Sequence, residues 1–184
     1  PEEAHRILLQ LRDATLRIQR TIRELLDYSR SSAGVLEALS PAGAVQQVLN
    51  LVRPQPRLRG VEIHNELPAE LPAALVDESK LVQVLLNLVL NAGDAMRGSA
   101  RRELHLGARV DATHVHLTVR DTGPGIPAEL EAKIFEPFFT TKDPGEGTGL
   151  GLAICERLAE QMQARLVLEN GSEGCTFRIE LARA

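Results

Sequence analysis

Residues 121–152 read DTGPGIPAELEAKIFEPFFTTKDPGEGTGLGL. Between 122 and 149, glycine and proline recur so often that neither the helical nor the strand period survives. An irregular stretch of this length inside a compact domain usually serves function. It opens on Asp121, at the end of a strand-like run, and closes on glycines that lead into an apolar helical run. A strand, a long loop and a helix in that order point to an α/β domain whose working parts are carried on the loop.

Three clusters lie within this stretch. In DTGPGIP, Gly123 and Gly125 let backbone approach a ligand closely, and a carboxylate at the strand end can accept a hydrogen bond from an exocyclic amine. The same letters also spell an ordinary tight turn. In IFEPFFTTK, Phe135, Phe138 and Phe139 are three of the chain's four phenylalanines. The loop is either pinned to the core, or it is a lid whose aromatics anchor it while Thr140, Thr141 and Lys142 face phosphate. In GEGTGLGL, Gly147, Gly149 and Gly151 leave backbone N–H groups free where a helix starts, which suits an anion. The Gly-Lys-Ser/Thr of a P-loop is missing, and no strand leads directly in as dinucleotide binding requires. A fourth cluster lies upstream, in LNLVLNAGDAM at 86–96. Asn87 and Asn91 are four apart and share a helix face. They are either satisfied structural amides or the wall of a site presenting amide oxygens to a hard cation.

Further out, the pattern predicts a short strand at 35–39 and a helix from Pro41, capped by Ser40, to about 53. It then predicts a strand at 61–67 and a long helix from about 78 to 96. A strand pair at 104–110 and 115–120 turns through 111–113, and a helix covers about 150–162. Two last strands, 165–169 and 176–181, flank a turn at Asn170 and Gly171. The expected fold is a two-layer α/β sandwich, with a mixed sheet of about five strands and three helices on one face. One long helix, from 1 to about 30, precedes it. Ile7, Leu11, Ala14, Ile18, Thr21, Leu25 and Tyr28 form a heptad-like stripe on that helix. The stripe packs either on its own domain or, as a dimerisation helix, on another chain; the Ser/Gly break at 31–34 reads as a domain boundary. The domains are therefore 1–32 and 33–184.

With 3% aromatics and no Trp, the core must be aliphatic, and a net charge of -4 without a basic run argues against nucleic acid as partner. Cys155 and Cys175 are expected to be reduced packing residues. No apolar run is long enough to span a bilayer and no signal peptide is seen, so a cytoplasmic piece without membrane contact is expected. The sequence starts at Pro1 without Met, which suggests an excised part of a longer parent.

Taken together, asparagine helix, Asp-x-Gly-x-Gly, aromatic lid and glycine loop resemble the ATPase domain shared by gyrase, the large heat-shock chaperone, histidine kinases and mismatch-repair proteins, the Bergerat or GHKL fold. The resemblance covers roughly 35–181. FFTTK followed by GTGLGL looks most like sensor histidine kinases of the nitrogen-regulation type, and LLDYSR at 25–30 resembles the end of the second helix of their dimerisation hairpin.

The resemblance implies ATP and Mg2+ as ligands. It places magnesium on Asn91 and the adenine amine on Asp121. Gly123, Gly125 and Ile126 would lie against the base. Gly147, Thr148, Gly149, Leu150 and Gly151 would wrap the phosphates, with Asp94, Thr140, Thr141 and Lys142 nearby and Phe138 and Phe139 holding the lid. Asn87, Asn91 and Lys142 would stand at the reacting phosphate. Where hydrolysing relatives keep a glutamate base, this chain has Asn87, and an amide is no general base. The implied reaction is γ-phosphoryl transfer to a histidine upstream of residue 1, then relay to a response-regulator receiver domain, within a homodimeric parent. His5 is followed by Arg6 with no Asn-Pro after it, so it is not the acceptor. His64, His105, His114 and His116 are read as structural or exposed. In the last strand Cys175 stands where the family often carries a Thr with its hydroxyl near adenine, and Thr176 beside it is counted among the implied cofactor-binding residues.

Overall fold

The structure, a computed structural model, describes residues 35–143, 147–171 and 174–184, together with positions 3, 6–8, 11, 12, 15, 18, 19 and 22. Those early positions are all helical, and Ile7, Leu8, Leu11, Ile18 and Ile22 are about half exposed. His5, the stripe positions Ala14, Thr21, Leu25 and Tyr28, the break at 31–34 and Gly145 lie outside the described residues.

Helix α2 (Glu78–Ala95) organises the domain, counting α1 as Pro41–Val52 and α3 as Gly151–Gln161. Leu81, Val84, Leu85, Leu88, Val89 and Ala92 recur at steps of three, one and three, and all are nearly solvent-free. That spacing gives a single apolar face, and burying each leucine contributes about 1.5–3 kcal/mol. The helix starts where Asp77 Oδ1 accepts the Lys80 N–H at 3.2 Å. Helix α1 begins at Pro41, but Ser40, although extended, makes no side-chain cap bond. The Gly43 N–H, three residues on, donates instead to the Ser40 carbonyl at 3.3 Å.

The helices cover one face of a five-stranded sheet made of β2 (Glu62–Glu66), β4 (Glu103–Val110), β5 (His114–Asp121), β6 (Arg165–Asn170) and β7 (Cys175–Ala182), in the order β2-β4-β5-β7-β6. β2 runs parallel to β4 and the other neighbours are antiparallel. Val115, Leu117, Val119 and Asp121 of β5 face the helices, as do Cys175, Phe177, Ile179 and Leu181 of β7. The β4–β5 turn is held by Asp111 Oδ1, which accepts the N–H groups of Thr113 and His114, each at 2.7 Å. β1 (Glu37–Leu39) and β3 (Ala74–Val76) form a separate antiparallel pair.

Two close approaches position the site. A Cβ added to Gly93 in α2 would meet Leu58 Cδ2 at 2.5 Å, so glycine here lets the 3-10 turn Pro56–Leu58 dock on the helix. A Cβ on Gly174, at φ 87°, would lie 1.9 Å from the Asp121 carbonyl oxygen. β7 therefore enters the sheet in contact with the end of β5. Gly98 has a similar φ of 86° but opens onto free space. Gly98→Ala should lose about 1–2 kcal/mol from left-handed strain alone. Gly174→Ala should lose clearly more, because the methyl also overlaps backbone. Urea unfolding of the two variants measures the difference, and equal losses would mean that the close approach at 174 carries no stability.

Candidate functional site

The last two turns of α2 gather the three loop clusters. Asn91 faces the start of α3: its Nδ2 is 3.6 Å from where a Cβ of Gly151 would stand. One turn on, Asp94 binds the lid, with Oδ2 taking the Lys142 ammonium at 2.7 Å. Ala95 then packs on the Asp-x-Gly turn, its Cβ 3.5 Å from the position a Gly123 Cβ would occupy. Residues far apart in sequence thus meet along one helix edge.

Asp121 ends β5 pointing inward and is 3% exposed. A carboxylate so buried needs partners, and two are present. Gly123 N–H donates to Oδ1 at 2.8 Å, and the Cys175 thiol donates to Oδ2 at 3.0 Å. Burial, and then the Asp121 charge, push the Cys175 thiol well above its usual range, so it stays a neutral donor. Two of the roughly four lone-pair directions of a carboxylate are used, and the others can receive a ligand donor. Gly125 and Ile126 form the adjacent rim. Asn170 fixes them, with Oδ1 accepting the Ile126 N–H at 3.0 Å and Nδ2 donating to Glu131 at 2.9 Å and to the Ile126 carbonyl.

The lid is anchored, but not by all the aromatics expected. Ile134 is buried, Phe135 packs edge-to-face on Phe177 at 6.5 Å, and Phe139 is half-buried against the core. Phe138, expected to hold the lid, is 63% exposed and adopts φ 70°. Its N–H donates to the Gly149 carbonyl at 2.9 Å. A Cβ at Gly149 would sit 2.3 Å from the Phe138 carbonyl carbon, so this contact requires glycine. The backbone of 138, rather than its ring, ties lid to glycine loop. Thr140 and Thr141 are exposed, and Gly147 sits against the Thr140 hydroxyl. Leu150 is fully buried, so any ligand contact there is through backbone. Its N–H points to Thr148 Oγ1 at 3.4 Å. Leu150, at the cap position of α3, makes no side-chain cap bond, which suits the helix start to an anion.

Three of the expected site residues take faces or partners that the sequence did not show. Thr176 alternates to the opposite, helix-free face, in register with Arg120 and Glu169, and is not part of the cluster. Cys175 stands beside Asp121 instead, because strand alternation puts 175 and 177 inward. Asn87 lies near the buried Cys155, whose thiol donates to the Val84 carbonyl at 3.8 Å and is pushed up to about 12 by burial. Lys142, expected at phosphate, has its ammonium on Asp94. Arg57 was missed by sequence reasoning. Its Nη1 reaches the same Asp94 Oδ2 at 3.1 Å, while Arg97 holds Oδ1 at 3.0 Å. No local motif marks Arg57. The indirect signal was Gly93, the unexplained small residue in the asparagine helix.

Comparisons with known proteins show the family. The family described as histidine kinase-, DNA gyrase B-, and HSP90-like ATPase matches residues 76–184. The C4-dicarboxylate transport sensor protein DctB of Pseudomonas aeruginosa is 37% identical over 174 residues, covering 94% of this chain and 28% of that protein. The sensor histidine kinase ZraS of Escherichia coli is 32% identical over 180 residues, covering 97% and 38%. The chain thus spans well under half the length of these relatives. Among solved structures, full-length ShkA in complex with AMPPNP superposes with a TM-score of 0.80 at 31% identity, over 99% of this chain and 40% of that one. The histidine kinase ThkA in complex with response regulator protein TrrA gives 0.78 at 26% identity, over 100% and 52%. The chain belongs to the family of histidine kinase-, DNA gyrase B- and HSP90-like ATPases, and within it is similar to the catalytic portion of sensor histidine kinases.

Proposed function

We propose that residues 33–184 bind Mg-ATP and transfer its γ-phosphoryl group to a histidine supplied by another segment or chain, for relay to a response regulator. The observation that carries the reading is Asp121, a nearly solvent-free carboxylate with unused acceptor capacity at the end of a strand, while the start of α3 stands beside Asn91 on the same helix that Asp121's turn packs against. A base with an exocyclic amine suits the first feature and a polyphosphate suits the second. ShkA, a similar protein, is described in complex with an ATP analogue, and ThkA with a response regulator.

In this reading Asp121 accepts from the adenine amine, and the backbone of Gly123, Gly125 and Ile126 lies along the base. The amides of Gly147, Thr148, Gly149 and Gly151 meet the phosphates, with Thr140 and Thr141 at the lid. Lys142 and Arg57 supply positive charge, and Asp94 holds both side chains ready. Lys142 engages phosphate by leaving or sharing the Asp94 carboxylate.

Asn91 would hold the magnesium. Its amide oxygen is a hard, neutral donor in the wall beside Gly151, and magnesium needs few protein ligands when phosphates and water complete its shell. When bound, the ion would neutralise charge on the phosphate oxygens. The chain's own residues orient the γ-phosphoryl group for in-line attack. The incoming neutral imidazole nitrogen offers a lone pair, the N–P bond forms as the bridging P–O bond breaks, and ADP leaves. Water is a poor competitor, because Asn87 stands where a general base would be needed and an amide cannot act as one.

Residues 1–32 complete the proposal as the second helix of a dimerisation hairpin, supported by the half-exposed Ile7, Leu11 and Ile18 on it. In the parent protein two such hairpins would pair into a homodimer.

Two measurements test the reading. Calorimetry should show Mg-ATP binding that falls about 10- to 100-fold in Asp121→Asn, the size of a lost hydrogen bond to a charged group. Asn91→Ala should remove the dependence of affinity on magnesium. Unchanged affinity in Asp121→Asn would overturn the adenine assignment. Separately, incubation with γ-labelled ATP and a kinase segment bearing an acceptor histidine should give an acid-labile phosphoprotein. Free phosphate released without protein labelling would point instead to a hydrolase.

A further inference from the structure

Five ionisable side chains meet on the helix-free face of the sheet, on the side opposite the cluster around Asp121. The parallel pairing of β2 and β4 sets Glu62 beside Glu103, His64 beside His105 and Glu66 beside Gly107. Because facing residues in register share a face, these side chains project together while Ile63, Leu104 and Leu106 pack into the core. The rings of His64 and His105 stack with centroids 4.6 Å apart and planes 15° apart. Ligating atoms of His64, Glu103 and His105 all lie within 4.8 Å of one another, the only such group of three among the described residues.

We propose that His64, His105 and Glu103 form a binding site for a zinc-type divalent ion on β2 and β4, separate from the nucleotide site. Two details of the geometry favour a metal over a chance cluster. His105 Nδ1 is 2.6 Å from Glu66 Oε1, which leaves Nε2 turned to Glu103 Oε2 at 3.4 Å. A ligating imidazole is held in this way, one nitrogen on a carboxylate and the other on the metal. His64 Nε2 is shut off from solvent without a hydrogen bond, and its nearest carboxylate oxygen, on Glu62, is 3.5 Å away. A buried ring nitrogen without a partner is costly, and a metal bond would satisfy it.

The donor set also selects the ion. Two imidazoles with one carboxylate suit zinc, nickel or copper, whereas magnesium and calcium prefer oxygen donors throughout. Tetrahedral zinc spaces its ligand atoms ~3.3 Å apart, given bonds of about 2.0–2.2 Å. The donors must therefore draw closer than they stand here, and Glu62, which is largely exposed, can swing in as a fourth ligand. Arg101 grips Glu103 through Nε at 2.7 Å and Nη2 at 2.6 Å. Its side chain is mostly exposed and can turn away as the ion arrives. Cys155 and Cys175 are buried and do not compete.

The experiment titrates the whole chain, stripped with chelator and dialysed, with zinc chloride in a calorimeter and by thermal melt. One ion should bind per chain and raise the melting temperature, and excess magnesium should not displace it. His64→Gln and His105→Gln should each weaken zinc about 10-fold or more, and Glu66→Gln should do so less severely. His116→Gln, outside the cluster, should leave zinc affinity unchanged. No zinc binding by the unmodified chain, or equal loss in His116→Gln, would overturn the site. Mg-ATP affinity should be the same in His105→Gln as in the parent chain, which keeps the two sites distinguishable.

Discussion

The seating of α2 is the constraint on which the rest depends. Its apolar face is locked between sheet and neighbouring helices by side chains with almost no solvent contact, so the helix can neither roll nor slide without opening voids. That rigidity fixes the direction of Asn91, Asp94 and Ala95, and each takes a different loop. The described parts of a long glycine- and proline-rich segment, with little regular structure of their own, are thereby held in place. The strained backbone at Phe138 and the close passage at Gly149 are tolerated because the surrounding contacts over-determine them.

Asp94 shows how charge is managed at the rim of this arrangement. Its side chain is only 7% exposed, yet it collects Arg57, Arg97 and Lys142 from three separate segments. One nearly buried carboxylate thus holds cationic side chains from three segments at the edge of α2. The neutral thiol of Cys175 plays the opposite part at Asp121, lending a hydrogen bond without adding charge. The two carboxylates are therefore held differently, Asp94 by charged partners and Asp121 by neutral ones.

Much of this was legible in the sequence, for physical reasons. Helix α2, the β4–β5 hairpin and the last two strands announced themselves through clean periods of 3.6 and 2, bounded by Asp77, Asp111 and Asn170. The family was readable because its loops need glycine and aspartate at fixed spacings. Other features depend on the third dimension. Nothing local says that β2 pairs parallel with β4, so the meeting of His64 with His105 was invisible. Whether Cys175 or Thr176 turns inward is a question of one residue of register, and the strand boundary decides it. Phe138 looked like an anchor because large aromatics usually seek the core; the lid instead uses its main chain there. Arg57 reaches Asp94 across 37 residues of sequence and had no motif to reveal it.

The sheet order also carries a kinetic consequence. β7, the last strand in the described sequence, inserts between β5 and β6, and its first residue supplies the thiol that partners Asp121 over a separation of 54 residues. Contacts of such long range form late, since the loop they close must first lose its conformational freedom. A chain emerging from the ribosome can wind α2 and zip the β4–β5 hairpin early. Its Asp121 carboxylate stays in water until β7 arrives, so the cluster around Asp121 is among the last parts of the described domain to form.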